Sequence, residues 1–275
     1  MQETDMDERP GWQATGWRLL ADAAGCLRFF SRLPVPQLGP YDDVSGAPEF
    51  ARMARAMPLA GALLALGPAL LWLGLQMTAL PAIANAALVL GAMIALTGAL
   101  HEDGLGDVAD GFFGGATRER RLEIMKDSRI GAFAAIALSL SLVLKIALLA
   151  ALPERFGLAG SLLLLIGMEA VSRLLCLWQW AQLPSARPDG LAARFGVPVP
   201  SALGEGALLT CVLLVPAAHA VPLADLLFGL LLAGLCAYGT GRLAFSKIGG
   251  MTGDVLGAVQ QLSALGFLTG LLVLS

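Results

Sequence analysis

Apolar runs close to 20 residues long recur along this chain, separated by short polar connectors. A helix of about 20 apolar residues is long enough to cross a hydrocarbon layer of about 30 Å, and in lipid it satisfies its own backbone groups. The runs predict seven transmembrane helices, at 57–80, 82–100, 132–152, 158–177, 207–221, 226–245 and 258–274. Pro216 interrupts the fifth. Residues 17–33 read instead as an amphipathic helix on the membrane surface, with Arg18, Arg28 and Arg32 towards headgroups. No repeat, low-complexity tract or linker marks a second domain. The expectation is therefore an all-α polytopic membrane protein, 1–275, with an N-terminal segment at 1–56 and a bundle at 57–275.

Composition agrees. Hydrophobic residues make up 57% and charged residues 14%, against about a quarter charged in soluble domains. The mean hydropathy is +0.73. A net charge of -3, without a basic stripe interleaved with aromatics, argues against a nucleic-acid partner. Cys26, Cys176, Cys211 and Cys236 stand singly, which suggests buried free thiols rather than zinc or disulfides. Glu3, Asp5, Asp7 and Glu8 precede the first apolar run, so the start does not read as a cleaved leader.

Seven spans place the N-terminal segment and the loops at 101–131, 178–206 and 246–257 on one side. That side collects the exposed cations from Arg9 to Lys247, while the opposite loops hold only Arg155. Cytoplasmic loops carry the excess of Lys and Arg, so this side is expected to face the cytoplasm of a bacterial inner membrane.

The loop after the second span reads His101-Glu102-Asp103-Gly104-Leu105-Gly106-Asp107-Val108-Ala109-Asp110-Gly111. On a helix continuing out of the membrane, Asp103, Asp107 and Asp110 project from one face at i, i+4, i+7. Like charges about 5 Å apart repel by about 3 kcal/mol at an effective dielectric of 20, which a divalent cation would offset. Hard oxygen donors without thiols favour Mg²⁺, or Mn²⁺, completed by water and substrate phosphate. Gly104, Gly106 and Gly111 would let backbone and phosphate approach each other. His101 and Glu102 are read as supporting groups rather than ligands.

Two further clusters share that side. Arg118, Arg120, Arg121, Lys126 and Arg129 are suited to phosphate oxygens or to fixing topology, and Asp127 among them has no topological role. Lys247-Ile248-Gly249-Gly250-Met251-Thr252-Gly253-Asp254 is a glycine-rich turn into the last span whose backbone N–H groups favour an anion. Candidate substrate-binding residues are Arg118, Lys126, Arg129, Lys247, Gly250, Thr252 and Gly253; Asp127 or Asp254 completes the site or acts as base. Within the spans, Glu169 and Arg173 can pair at i, i+4, whereas Lys145 either snorkels or faces a polar cavity.

Four blocks together resemble the cobalamin synthase family: Arg28-Phe29-Phe30-Ser31-Arg32-Leu33-Pro34-Val35-Pro36, the stretch 101–111, the stretch 120–131 and the stretch 249–258. The resemblance runs along nearly the whole chain. Pro184-Ser185-Ala186-Arg187 departs from it where relatives tend to carry an aromatic before Ala-Arg. It implies Mg²⁺-dependent transfer of the adenosylcobinamide phosphate group from adenosylcobinamide-GDP to alpha-ribazole or alpha-ribazole 5'-phosphate, with release of GMP. Membrane CDP-alcohol phosphotransferases and aromatic prenyltransferases also place aspartate clusters at helix ends, but a DGxxAR sequence is missing after Gly111 and no second aspartate-rich pair is found. A transporter would hold its acids near the midplane rather than in loops.

Overall fold

In a computed structural model the described residues are 11–44, 48–190 and 194–274, so Arg9 and the acidic first eight residues lie outside them. Every regular element among the described residues is a helix. They are α1 (Gly11–Phe30), α2 (Phe50–Met53), α3 (Met57–Leu75), α4 (Ala82–Thr97), α5 (Leu100–Gly114), α6 (Arg118–Ile124), α7 (Ala132–Gln182), α8 (Pro200–Ala220), α9 (Leu223–Ile248) and α10 (Gly253–Val273). The segment Phe50–Leu75, α7, α8, α9 and α10 are each long and apolar enough to cross a membrane, and α4 with α5 forms a sixth unit bent by 89°. The protein is an all-α, multi-pass membrane protein.

Each predicted span falls on helix, with shifted ends. Pro216 does not break α8, which runs from Pro200 to Ala220. Residues 132–152 and 158–177 both lie in α7, which is interrupted at Gly157 by φ +68. A straight helix would hold Lys145 and Glu169 roughly 36 Å apart at 1.5 Å per residue. Both line one small internal chamber. The two halves of α7 therefore fold back on each other at Gly157, and the element supplies two of the expected crossings.

The last helix occupies the middle of the bundle. α10 packs against α9, α7 and α5, and 83% of its most apolar window is buried. Its Gln260, Gln261 and Ser263 are all buried. Unsatisfied polar groups are costly in such an interior; the two glutamines find side-chain partners and Ser263 donates to the Val259 carbonyl. Lys145 Nζ donates to Gln261 Oε1 at 2.5 Å, and Gln261 Nε2 donates to Glu102 Oε1 at 2.9 Å. Gln260 Nε2 donates to Ser172 Oγ at 3.2 Å, and Arg173 pairs with Glu169. Of the two placements open to Lys145, the structure selects the polar cavity.

The N-terminal helix is docked rather than merely laid on a surface. Its Asp22 is buried and pairs with Arg52 at 3.0 Å and Arg55 at 2.7 Å. Ala23, Ala24 and Cys26 are buried with it. Arg28 pairs with Asp42 instead of facing headgroups, and the Arg32 backbone N–H donates to the Leu96 carbonyl at 2.7 Å. Of the thiols, Cys26 and Cys176 are buried as expected, whereas Cys236 is half-buried and Cys211 exposed.

Candidate active site

The aspartate helix does not continue from the preceding span. Gly98 closes α4 in the left-handed conformation at φ +65, and Ala99 follows at φ +60. Two successive left-handed residues turn the chain, so α5 leaves at 89° to α4. A helix perpendicular to a span runs along the end of the bundle instead of through it. Ala99 is the only residue other than glycine with positive φ among the described residues, a conformation that is costly for a residue with a side chain.

Where α5 crosses the start of α10, the backbones nearly touch. A Cβ on Gly104 would lie 2.8 Å from the Asp254 carbonyl oxygen and 3.2 Å from the Gly257 Cα. The crossing itself requires a glycine at this position. Gly106 and Gly111 likewise face α7 and α6. The crossing sets Asp103 beside Asp254, so acids far apart in sequence stand at one place.

Asp103, Asp107 and Asp110 line an open cleft of about 270 Å³ with Lys126, Asp127 and Arg129. Burial pushes the half-buried Asp107 carboxyl up to about 7, and the neighbouring Asp254, Asp103 and Asp110 charges add to this while Arg187 opposes it. Crowded carboxylates of this kind are what a divalent cation relieves. The expected three-aspartate cage is not assembled, however: among the described residues no three His, Cys, Asp or Glu side chains meet as metal donors. Asp110 has a different occupation. Its Oδ2 accepts from the Gly131 N–H at 2.6 Å and its Oδ1 from the Ala134 N–H at 2.9 Å. It caps the first turn of α7, whose own N-cap residue supplies no side-chain bond.

The two candidate bases differ sharply. Asp127 sits at the exposed lip, held by Arg129 through contacts of 2.9, 3.1 and 2.5 Å. Those hydrogen bonds keep its carboxyl down at about 2, where it is a poor proton acceptor. Asp254 stands in the first turn of α10, accepts from Thr252 Oγ1 at 3.1 Å and faces Arg187 at 3.8 Å.

The cations divide in the same way. Arg118 Nε donates to the Ile248 carbonyl at 2.8 Å and Nη2 to the Ala186 carbonyl at 2.7 Å; Arg121 Nη1 donates to the Lys247 carbonyl at 3.0 Å. These guanidinium groups close the C-terminal end of α9, where cations complement exposed carbonyls. Lys247 itself lies over the Phe113 ring at 5.8 Å. Lys126 is exposed and stands between the acidic cleft and a second recess of about 420 Å³ lined by Arg118 and Arg187.

The glycine-rich turn is mostly structural. Backbone bonds of 2.8 Å from Ala186 to Met251 and from Met251 to Pro184 fasten it to the loop at 183–190. A Cβ on Gly250 would overlap the Pro184 carbonyl oxygen. Thr252 caps α10 by accepting from the Val255 N–H at 3.3 Å. Only Gly253 opens on free space. The residue missed by sequence reading is Arg187, because its loop was weighed as a departure from a pattern rather than as the other half of this clasp.

Residues 22–272 match the family described as Cobalamin-5-phosphate synthase. The adenosylcobinamide-GDP ribazoletransferases of Brucella ovis, Brucella canis and Brucella melitensis are each 46% identical over 259 residues, covering 93% of this chain and 97% of the relative. No solved structure matches. With the family matching residues 22–272 and these relatives covered nearly end to end, the chain belongs to the cobalamin-5-phosphate synthase family of transferases.

Proposed function

We propose that this protein transfers the adenosylcobinamide phosphate group from adenosylcobinamide-GDP to alpha-ribazole or alpha-ribazole 5'-phosphate, with Mg²⁺ as cofactor and GMP as the leaving product. The observation that carries the reading is the convergence of carboxylates from α5 and α10 beside a recess lined by Arg118, Lys126 and Arg187. The names of relatives identical at 46% of positions support the substrates. The site is taken to face the cytoplasm of a bacterial inner membrane, in keeping with the cations gathered at that end.

The donor set suits a hard divalent ion. Asp103 and Asp107 would hold it, since Mg²⁺ ordinarily uses one or two carboxylates and takes its remaining ligands from water and phosphate. When bound it would offset the charge on the diphosphate. The chain's own groups do the rest. Asp254 accepts the proton of an acceptor hydroxyl as that oxygen attacks the cobinamide-side phosphorus. The bond to the bridging oxygen breaks, and GMP departs with the electron pair. Lys126 and Arg187 face the departing phosphate. Arg118, already bound to two carbonyls, holds the wall of this recess, and Asp110 fixes the start of α7. Asp127 keeps Arg129 at the lip, where its charge faces incoming phosphate.

GMP release from adenosylcobinamide-GDP by purified protein is expected to require both alpha-ribazole and Mg²⁺. Release that proceeds without acceptor, or at full rate in excess chelator, would overturn the proposal.

A further inference from the structure

The helix that carries Asp103 and Asp107 crosses α10 on bare backbone, with Gly104 set against Gly257. Such a contact fixes how closely the two helices approach. It offers nothing to fix how α5 is turned about its own axis, and that turn decides whether Asp103 and Asp107 face the acidic cleft. The turn must be set by side chains. Among the described residues, side chains of α5 form hydrogen bonds at two positions: Asp110, which caps α7, and Glu102. Asp103 and Asp107 lie between these two anchors and make no hydrogen bond among the described residues.

The Glu102 anchor is a single bond. Its Oε1 accepts from Gln261 Nε2 at 2.9 Å, and its buried Oε2 has no partner among the described residues. Gln261 is itself buried, and both of its N–H groups are used: Nε2 also donates to Gln260 Oε1 at 2.8 Å, while Oε1 accepts from Lys145 Nζ at 2.5 Å. A lysine ammonium can only donate, so Lys145 fixes which end of the amide is the oxygen and leaves the N–H groups for Glu102 and Gln260. Along α10, Asp254, Gly257 and Gln261 stand at i, i+3 and i+7 and share one face. The face that carries the proposed base thus also holds the crossing point and, two turns along, the grip on α5.

We propose that Gln261, held in orientation by Lys145, is a positioning residue for the metal site: through Glu102 it sets the rotation of α5 at which Asp103 and Asp107 face a divalent cation. The inference rests on the placement of Mg²⁺ at those two aspartates proposed above. It makes Glu102 an acceptor for Gln261 rather than a metal ligand, and it puts control of cation affinity inside the bundle.

The probe is Mn²⁺, titrated without substrate into purified full-length protein in detergent, with the free ion read by electron paramagnetic resonance. Glu102→Met keeps the length of the side chain and removes the acceptor, an exchange of buried carboxylate for apolar chain that folding tolerates. It is expected to weaken Mn²⁺ binding about ten- to a hundredfold, the range for groups that orient metal ligands. Glu102→Gln keeps an oxygen for Gln261 and is expected to stay within about threefold of wild type. Gln261→Met is expected to weaken binding by the same factor as Glu102→Met, and combining the two should add nothing, because one acts through the other. Equal losses in Glu102→Gln and Glu102→Met would make Glu102 a ligand and overturn the proposal. Unchanged affinity in Glu102→Met or in Gln261→Met overturns it as well, and should Gln261→Met fail to fold, the two Glu102 variants decide. A wild type that binds no Mn²⁺ removes the metal placement and this inference with it. One that binds Mn²⁺ in the expected pattern yet releases no GMP loses the transfer reaction alone.

Discussion

The crossing of α5 over α10 makes Gly104→Ala a sharp test, because its effects on stability and on activity should diverge. The added Cβ would sit 2.8 Å from the Asp254 carbonyl oxygen and 3.1 Å from the Asp254 Cα, both of them backbone atoms with no rotamer to escape into. Ordinary carbon contacts begin near 3.5 Å, so the two helices must part by about 0.7 Å. Such overpacking costs about 1–3 kcal/mol. Gly104 lies inside a helix, however, and Ala there regains about 1 kcal/mol of helix propensity. The net loss is thus between nothing and about 2 kcal/mol, and the protein should still insert and fold. The site fares worse, since a displacement approaching 1 Å between reacting groups can cost about a hundredfold in rate. Purified Gly104→Ala is expected to lose GMP-releasing activity by one to two orders of magnitude, roughly, with its unfolding midpoint little changed. Gly106→Ala is the control, because its Cβ would meet side chains of Leu138 and Ala134 at 3.4 and 3.5 Å, ordinary contacts. If Gly104→Ala turns over within twofold of wild type, the crossing does not set the active geometry and the argument fails.

Three other expectations follow from the same contacts. Asp107→Asn should reduce turnover at least about a hundredfold even at saturating Mg²⁺, since a carboxylate that would hold the cation is removed; near-normal rates would remove Asp107 from the site. The same residue makes metal-free protein pH-sensitive. The folded state holds its proton up to about 7, whereas the unfolded chain releases it near 3.8, so stability should fall as pH rises through that window. Adding Mg²⁺ or substituting Asn should flatten the dependence, as read by thermal unfolding in chelator at pH 5 and pH 8. Asp110→Ala should cost about 0.5–2 kcal/mol through the lost cap on α7, and a Mg²⁺ requirement unchanged in that variant would assign Asp110 to structure alone. Lys145→Met should destabilise by about 1–3 kcal/mol by leaving the buried Gln261 Oε1 without its donor; adding Glu102→Gln should restore part of the loss, and strict additivity would show that the two residues are not coupled.

How much of this was legible in the sequence depended on the range of the interaction. The spans were, because each needs its own run of about 20 apolar residues and carries that requirement locally. The break at Gly98 and Ala99 was not. Gly98 is a residue that can close a helix, but within an apolar run of this length it did not mark a stop, and nothing local signals the second left-handed residue at Ala99. The acidic spacing set three carboxylates on one helix yet could not separate Asp107 from Asp110, since the N–H groups that occupy Asp110 come from Gly131 and Ala134. Arg187 escaped for a similar reason: its partner Asp254 is far away in sequence, and the two segments of the clasp meet through the backbones of Pro184, Ala186 and Met251. Phe29 and Phe30 were visible within a block resembling the family, but their packing depends on Phe50 and Trp180 from other elements.

Asp103 borders both the slot beside Phe29 and Phe30 and the acidic cleft, while Lys126 borders both the cleft and the recess of Arg118 and Arg187. Each of these adjoining spaces carries both signs of charge: Arg173 with Asp103 and Asp254 in the first, Lys126 and Arg129 with the aspartates in the second, and Arg118, Lys126 and Arg187 with Glu119, Glu123 and Asp189 in the third. The buried Lys145–Gln261–Glu102 chain anchors α5 through the residue next to Asp103. The carboxylates can then repel one another without the helix that carries them moving away. A cost in stability near the site is thereby confined to groups that a bound cation and diphosphate would neutralise, and the spans below do not share it.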